Sequence, residues 1–338
     1  MDLRRLGSSG ALVSELSLGT MTFGAETDEA GSHAILDAYV EAGGTFIDTA
    51  DIYSNGRSEE IIGSWLAARG GGDGLVIATK SRFSLSGRPR DGGLSRTTLT
   101  RAVEASLGRL GVEVIDLHQM HAWDPSTPIE ETLDAYADLI RAGKIRYTGA
   151  SNFTGWQLQR AVLVGRDRAA VPVTLQPQYN LLDRNIELEL VPLCLDVGLG
   201  LLPWSPLGGG WLTGKYVREQ PPTGATRLGE DPERGVEAWA KRDTDRTWAI
   251  LDAVREIAAA REATPSQVAL NWVTHRPGVT ATILGVRTVA QLEDNLGATG
   301  WRLDPDERER LDAVSEPWRP DYPYGFIDDT ASDLAGYA

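Results

Sequence analysis

The chain has 338 residues and a formal net charge of −15, with 41% hydrophobic and 24% charged residues, as in soluble globular proteins. This negative charge argues against general binding of nucleic acids or anionic membranes, which are also negatively charged. The single cysteine, Cys194, permits no internal disulfide and fits a reducing compartment. No signal peptide or membrane-spanning apolar run is visible, so the sequence predicts a cytoplasmic protein.

The chain opens with a predicted hairpin over residues 1–13, in which Gly7, Ser8, Ser9 and Gly10 form the turn. Short apolar runs typical of strands then alternate with longer stretches of helical periodicity. The strand signals lie at 16–20, 45–47, 75–79, 114–120, 145–149, 172–176, 199–203 and 280–284. The helical signals lie at 28–42, 57–69, 96–109, 129–142, 155–165, 186–197, 265–275 and 288–297. This alternation predicts an (α/β)8 TIM barrel that comprises residues 1–338 as one domain.

A doubly wound sheet would also alternate strands with helices, but no GxGxxG motif opens a helix after an early strand. Two segments interrupt the barrel period. Residues 208–244, after the seventh strand, are rich in glycine, proline and charge and predict a long functional loop or lid, followed by a helix at 245–261. The C-terminal tail, residues 317–338, contains Trp318, Tyr322, Tyr324 and Phe326 among prolines, so we expect it to fold over the barrel and help line the mouth. The alternative is an unpacked terminus.

Polar residues follow three of the predicted strands. Asp48, Lys80 and His121 each come directly after an apolar run, and Tyr53 lies in the loop beyond Asp48. In a parallel barrel the carboxyl ends of the strands face the same mouth, so these side chains would converge there. Each residue taken alone also fits an ordinary turn or loop.

These residue types suggest acid catalysis. A lysine ammonium near a tyrosine stabilises the phenolate, so Lys80 would lower the pKa of Tyr53 from about 10. Asp48 would pair with Lys80 and hold it in place. Tyr53 would then act as a general acid near neutral pH, and His121 would bind the same substrate oxygen.

The motifs around these residues resemble those of the aldo-keto reductases over almost the whole chain. They are Phe46-Ile47-Asp48-Thr49-Ala50-Asp51-Ile52-Tyr53, Thr79-Lys80, and Asp116-Leu117-His118-Gln119-Met120-His121. The resemblance implies a barrel that reduces aldehydes and ketones with NADPH. It also implies that Asp48, Tyr53, Lys80 and His121 are the catalytic residues.

The same resemblance implies a cofactor site for NADPH or NADP+ built from three segments. The residues predicted to hold the nicotinamide carboxamide are Ser151, Asn152 and Gln176. Those predicted to stack on the nicotinamide ring or approach the pyrophosphate are Trp204, Ser205, Leu207 and Gly209. Those predicted to read the 2′-phosphate and adenine are Gly285, Arg287, Gln291, Asp294 and Asn295. Trp204 stands where relatives usually have another aromatic residue, some relatives have lysine at Gly285, and Asp294 is more often glutamate.

The expected function is therefore that of an NADP-dependent oxidoreductase acting on CH–OH groups and their carbonyl counterparts. One alternative is a cofactor-binding regulatory protein that resembles ion-channel β subunits, and another is a barrel isomerase with a different base. No metal site is expected, because the four histidines lack a spacing such as HExxH. We expect a small-molecule carbonyl substrate whose identity is set by Trp123, Trp211, the 208–244 loop and the tail. The oligomeric state stays open, a monomer included.

Overall fold

The first two strands form the predicted hairpin at one end of the molecule. In the computed structural model, which describes residues 1–88, 91–224, 227–233 and 235–327, these strands are β1 (Leu3–Arg5) and β2 (Leu12–Ser14), paired antiparallel. Between them Gly7 has a φ of +57°, and a Cβ there would lie 2.0 Å from the carbonyl oxygen of Val173. Glycine is therefore required where the hairpin packs against the base of the barrel.

Eight parallel strands form the barrel, in the spatial order β10-β3-β4-β5-β6-β7-β8-β9. They are β3 (Leu16–Gly19), β4 (Phe46–Asp48), β5 (Val76–Ser81), β6 (Ile115–Met120), β7 (Ile145–Ser151), β8 (Pro172–Gln176), β9 (Gly200–Leu201) and β10 (Thr282–Gly285). Backbone hydrogen bonds between Leu201 and Gly278 (2.8 Å) and between Ile283 and Pro203 (2.9 Å) join the last strand to the seventh. The sheet is thus closed into the predicted (α/β)8 barrel.

The barrel interior is apolar at the hairpin end. Phe46, Ala78 and Leu117 point into the barrel and are fully buried, and Leu6 and Val13 of the hairpin pack against the same cluster. Alternate residues of the strands face the helices, as a two-residue period requires. The hairpin therefore seals one end and leaves the carboxyl ends of the strands as the open mouth.

The helices begin at residues that can satisfy free backbone amides. Asp28 accepts a hydrogen bond from the Gly31 amide, and Thr264 forms a capping box with Gln267 just before Pro265. The helices are α1 (Glu29–Glu41), α2 (Arg57–Ala68), α3 (Arg96–Leu110), α4 (Ile129–Arg141), α5 (Gly155–Arg166), α6 (Leu190–Val197), α7 (Arg227–Glu230), α8 (Trp239–Arg242), α9 (Asp245–Ala260), α10 (Pro265–Thr274), α11 (Val289–Leu296) and α12 (Pro305–Val314). None of these described helices is long and apolar enough to span a membrane.

Two features differ from the sequence prediction. The 208–244 segment is not a plain loop, since it contains 3₁₀ turns at Gly208–Thr213 and Gly235–Glu237 as well as α7 and α8. Its aromatic residues Trp211 and Trp239 stack with ring centroids 4.9 Å apart, which gives the segment a small core of its own. Helix α12 was not predicted, although Asp304 and Glu307 form a capping box at its start.

The tail is described only as far as residue 327, and residues 328–338 lie outside the described residues. The Tyr324 hydroxyl donates a hydrogen bond to Glu189 Oε1 at 2.7 Å, beside the start of α6. Trp318 and Tyr322 are each 79% exposed, so the described part does not pack tightly. No residue of 317–327 lines the cavity at the barrel mouth, contrary to the expected role of this part of the tail.

Candidate active site

The predicted catalytic residues meet at the mouth of the barrel because their strands are neighbours. Asp48 is the last residue of β4, Lys80 lies in β5, and His121 directly follows β6. These three strands are parallel and adjacent in the sheet. Tyr53 begins a 3₁₀ turn, Tyr53–Gly56, that leads from β4 into α2.

The backbone of this turn is unusual. Ser54 and Asn55 have φ values of +48° and +53°, in the left-handed region that side-chain-bearing residues seldom adopt, and Gly56 follows at +90°. The Ser54 hydroxyl donates a hydrogen bond to the Phe23 carbonyl at 2.8 Å, which ties the turn to the loop after β3. The turn thus reverses the chain abruptly and presents Tyr53 to the mouth.

Lys80 and Asp48 form a buried ion pair. The Lys80 ammonium donates to Asp48 Oδ1 at 2.6 Å and to the Thr49 carbonyl at 2.7 Å, and Lys80 has no exposed surface. Burial lowers the pKa of Lys80, but the Asp48 carboxylate and the Tyr53 phenol raise it, and the net direction is upward. Lys80 therefore stays charged, and Asp48 holds it as predicted.

The second carboxylate oxygen of Asp48 is held by two amides. Gln176 Nε2 donates to Asp48 Oδ2 at 2.8 Å, and Gln119 Nε2 donates to the same atom at 3.3 Å. Gln119 comes from β6 and Gln176 from β8, so contacts from three strands fix this carboxylate. The sequence analysis missed Gln119, although it points to the same face of β6 as His121, two residues on.

Tyr53 lies beside the Lys80 ammonium, whose Nζ is 4.9 Å from the centre of the phenol ring. Burial raises the pKa of Tyr53, the Lys80 ammonium lowers it, and the Asp48 carboxylate raises it again. The net direction is upward, opposite to the prediction, because burial outweighs Lys80. Tyr53 is consequently a neutral phenol with a proton to donate at neutral pH.

His121 is a neutral imidazole. Burial lowers its pKa to about 2, with further lowering by the charges of Lys80 and Arg82. Its Nδ1 is buried and has no hydrogen-bond partner in the described parts of the chain. The ring stands edge-on to Tyr53, with 6.1 Å between ring centroids. His121 and Tyr53 can therefore approach one substrate oxygen together.

A cavity of about 820 Å³ opens over these side chains, within the size range of small-molecule sites. Asp48, Tyr53 and His121 line one end of it, and Lys80 lies behind them. The structure brings all the predicted cofactor residues to the same cavity. They are Ser151, Asn152, Gln176, Trp204, Ser205, Leu207, Gly209, Gly285, Arg287, Gln291, Asp294 and Asn295.

The residues predicted to hold the nicotinamide form a linked chain of hydrogen bonds. Asn152 donates from Nδ2 to the His121 carbonyl at 3.1 Å and to Ser151 Oγ at 3.0 Å. The Trp204 indole donates to Asn152 Oδ1 at 3.1 Å, and Ser151 Oγ donates to the Gln176 carbonyl at 2.9 Å. The aromatic ring of Trp204 is thereby fixed next to the catalytic end of the cavity.

The glycine-rich turn after β9 is shaped for close approach. Gly209 and Gly210 have φ values of +67° and +96°. A Cβ on Gly210 would lie 2.7 Å from Lys215 Nζ, and one on Gly209 would lie 2.4 Å from the carboxylate of Glu237. Ser205 Oγ donates to Glu237 Oε1 at 2.5 Å. Lys215 also lines the cavity and is a cation that the sequence analysis did not assign to the site.

The far end of the cavity contains Arg287 at the start of α11. Its Nη2 lies 3.3 Å from Glu230 Oε2 and 3.5 Å from Glu26 Oε1. The arginine predicted to bind the 2′-phosphate is therefore paired with two acids. The Gln291 side chain accepts from the Arg287 amide at 2.8 Å. Asp294 accepts from Thr264 and Gln267, on the neighbouring helix α10. The side chains of Gln291 and Asp294 therefore already have partners within the protein.

The two tryptophans predicted to set specificity do not line the cavity. Trp211 is fully buried and donates to the Glu237 carbonyl at 2.9 Å, so it supports the long segment from within. Trp123 packs edge-on against Phe153, with ring centroids 5.3 Å apart. Met21 and Phe83 line the catalytic end instead, on loops whose side-chain directions a sequence pattern does not reveal. Among the described residues, no group of three potential metal ligands occurs.

Barrel proteins that bind and convert small molecules do so at the carboxyl ends of their strands. The cluster of Asp48, Tyr53, Lys80 and His121 lies at that end of this barrel. The sequence model of the Aldo/keto reductase family matches residues 15–316, and the chain belongs to this family.

Similar proteins carry different names. Uncharacterized oxidoreductase YrpG of Bacillus subtilis (strain 168) is 38% identical over 93% of this chain and 96% of its own length. Protein tas of Escherichia coli (strain K12) is 34% identical over 94% of this chain and 98% of its own length. A probable voltage-gated potassium channel subunit beta of Oryza sativa subsp. japonica is also 34% identical, over 94% and 98%.

Proposed function

We propose that this protein is an NADPH-dependent oxidoreductase that reduces aldehydes or ketones to alcohols. The observation that carries the proposal is the neutral Tyr53 phenol at one end of a long cavity, backed by the buried Lys80 ammonium. A proton donor is needed where a carbonyl oxygen gains charge, and a fixed cation stabilises the phenolate that remains. We also propose a cytoplasmic location.

Each residue has a defined task in this reaction. Tyr53 gives its proton to the carbonyl oxygen, and Lys80 stabilises the resulting phenolate. Asp48 fixes Lys80, and its own orientation is fixed by Gln119 and Gln176. His121, as a neutral imidazole, binds the same oxygen and orients the substrate.

The residues of the cavity fit a nicotinamide dinucleotide. Bound NADPH would supply the hydride that adds to the carbonyl carbon. Trp204 offers an aromatic face near the catalytic end, and the backbone of Gly209 and Gly210 can approach a diphosphate closely. Lys215 and Arg287 place two cations along the same cavity, which a polyanion needs in a protein of net charge −15.

The direct test measures NADPH oxidation with a panel of aldehydes, ketones and quinones. Turnover of at least one carbonyl class, abolished by Tyr53→Phe with cofactor binding retained, is the expected result. Cofactor binding without turnover on the whole panel would overturn the proposal.

The second candidate is a regulatory protein that binds the cofactor but has little catalytic turnover. It is favoured by the relative named as a potassium channel subunit beta, which matches nearly the whole chain. A stable complex with a membrane protein, together with negligible turnover, would favour it. The presence of Asp48, Tyr53, Lys80 and His121 is compatible with both candidate functions. A measurement of turnover is therefore needed to distinguish them.

A further inference from the structure

The amino end of helix α10 forms part of the wall of the cavity. Thr264, Pro265 and Ser266 line the cavity there, and the helix that follows has 10 residues. The first amides of a helix have no partner within the helix, so this end carries free donors and a partial positive charge. Whether such an end can bind an anion depends on how many of its donors are already occupied.

The donors on either side of Ser266 are occupied. The Thr264 hydroxyl accepts from the Gln267 amide at 3.2 Å and donates to Asp294 Oδ2 at 3.3 Å. The Gln267 side chain donates to the Asp294 carbonyl at 2.8 Å. Pro265 has no amide hydrogen to donate. Thr264 and Gln267 therefore join α10 to Asp294 on α11, and Ser266 takes no part in this contact.

Ser266 differs from its neighbours in having no partner. It lines the cavity and is only 6% exposed. Neither its hydroxyl nor its backbone amide has a hydrogen-bond partner among the residues that the structure describes. Buried polar groups are nearly always hydrogen-bonded, so two free donors on a cavity wall are explained by a ligand that accepts from them. At the amino end of a helix the suitable acceptor is an anion.

Lys215 adds a cation beside this end of α10. The Arg255 side chain, from α9, donates to the Gly214 carbonyl at 3.1 Å and so fixes the backbone just before Lys215. A Cβ on Gly214 would lie 3.0 Å from Cγ of Pro265, so the turn before Lys215 packs directly on the amino end of α10. Lys215 and Ser266 thus line the same cavity from two elements in contact.

Resting on the proposed function, we propose that Ser266 and the amino end of α10 bind the diphosphate of the dinucleotide, together with Lys215. The Ser266 hydroxyl and amide donate to phosphate oxygens, and the Lys215 ammonium balances their charge. The position favours the diphosphate over the 2′-phosphate. A Cβ on Gly210 would lie 2.7 Å from Lys215 Nζ, so the ammonium lies against the glycine turn that a diphosphate can approach. Arg287, proposed for the 2′-phosphate, precedes a different helix, α11.

The experiment measures affinity and does not depend on turnover. NADPH, NADH and ADP-ribose all contain the diphosphate, but only NADPH has the 2′-phosphate, and ADP-ribose lacks the nicotinamide. Ser266→Ala should raise the Kd of all three by a similar factor of roughly 3–30, because one hydrogen bond to a charged group is lost. Alanine favours the helix, so the variant should fold normally.

Ser266→Asp is the stronger test. A carboxylate near the amino end of a helix stabilises the helix but repels a phosphate, and α12 already has Asp306 at the same helix position. The melting temperature without ligand should be retained, and the Kd of all three ligands should rise more than about tenfold, because like charges are brought together. If the melting temperature falls, Ser266→Ala decides the outcome.

Thr97→Asp is the matched control. Thr97 is the second residue of α3, as Ser266 is of α10, but it is exposed and does not line the cavity. This variant adds the same charge to a helix end and should leave the three affinities unchanged.

The outcomes separate the inference from the proposed function. Unchanged affinities in both Ser266 variants would overturn the inference, as would equal losses in Thr97→Asp. Weaker binding of NADPH alone would place the 2′-phosphate at this helix end and overturn the diphosphate assignment. Binding of all three ligands that depends on Ser266, in a protein without carbonyl turnover, would support the inference and count against the proposed function alone.

Discussion

Lys80 and Arg287 are the cations at opposite ends of one cavity, and the fold holds them in different ways. Lys80 lies inside the barrel with no exposed surface and pairs with Asp48 at 2.6 Å. Arg287 has 23% of its side chain exposed and lies 3.3 Å from Glu230, on the long segment, and 3.5 Å from Glu26. Strands fix the first cation, whereas loops surround the second.

This difference in burial determines how each ion pair responds to salt and to the loss of one partner. A buried pair is poorly screened by salt, and losing one partner leaves an uncompensated charge in the interior. An exposed pair contributes little to stability and weakens as ionic strength rises. We therefore expect changes at the catalytic end to affect turnover and folding, and changes at the far end to affect cofactor affinity and its dependence on salt.

The largest expected effect is on chemistry. Tyr53→Phe removes only the proton donor, so turnover of a slow ketone should fall about 10²–10⁴-fold. NADPH affinity, measured by titration of tryptophan fluorescence, should change little. A variant that retains more than half of the wild-type turnover number would remove Tyr53 from the role of general acid.

Lys80→Met should destabilise the fold by about 3–5 kcal/mol, because Asp48 would be left buried without its cation. Lys215→Met is the matched comparison, since Lys215 is exposed and should contribute less than about 1 kcal/mol. Urea unfolding of the two variants measures the contrast. Equal losses would mean that burial does not distinguish the two lysines as argued.

The meeting of Asp48, Lys80 and His121 could be predicted from the sequence because the apolar runs locate the strands, although Asp48 and Lys80 lie within β4 and β5. The runs before Asp48, Lys80 and His121 gave the order of the strands, and a parallel barrel then brings the three residues together. Helix α12 could also have been found, because Asp304 and Glu307 form a recognisable capping box.

The remaining features depend on contacts between distant parts of the chain. The predicted lowering of the Tyr53 pKa was wrong because burial of the phenol, which raises the pKa, is not visible in a sequence. Glu237 meets Ser205 and Trp211 only after the long segment has folded onto the glycine turn. The pairing of Arg287 with two acids likewise arises between segments that are distant in the sequence.

Arg287→Ala tests the far end of the comparison. If Arg287 binds the 2′-phosphate, NADPH affinity should fall by about 1.5–3 kcal/mol, the size of a hydrogen bond to a charged group. NADH lacks this phosphate, so its affinity should move far less. Arg308→Ala, an exposed arginine on α12, is the control. Equal losses for both cofactors would make Arg287 structural and the 2′-phosphate assignment wrong.

Trp204 lies next to the catalytic end and contributes packing rather than charge. Trp204→Ala should weaken NADPH binding by about 1–2 kcal/mol and remove much of the fluorescence quench on binding. The exposed Trp156, with 62% of its surface accessible, is the control. An unchanged quench in Trp204→Ala would place the nicotinamide elsewhere. High salt should not alter the loss, in contrast to that at Arg287.

The smallest expected effect is that of Glu230→Gln on NADPH binding at the Arg287 end of the cavity. Glu230 is 50% exposed and lies on the long segment, where its charge competes with a phosphate for Arg287. Glu230→Gln should therefore strengthen NADPH binding by about 0.2–1 kcal/mol at low salt, the size of an exposed ion pair. The gain should shrink at high salt, because screening weakens the competition already present in the wild type. Glu233→Gln, an exposed acid nearby on the same segment, is the control. Titrations of NADPH and NADH at two ionic strengths provide the measurement. If Glu230→Gln weakens NADPH binding, Glu230 holds Arg287 in the binding position instead of competing for it.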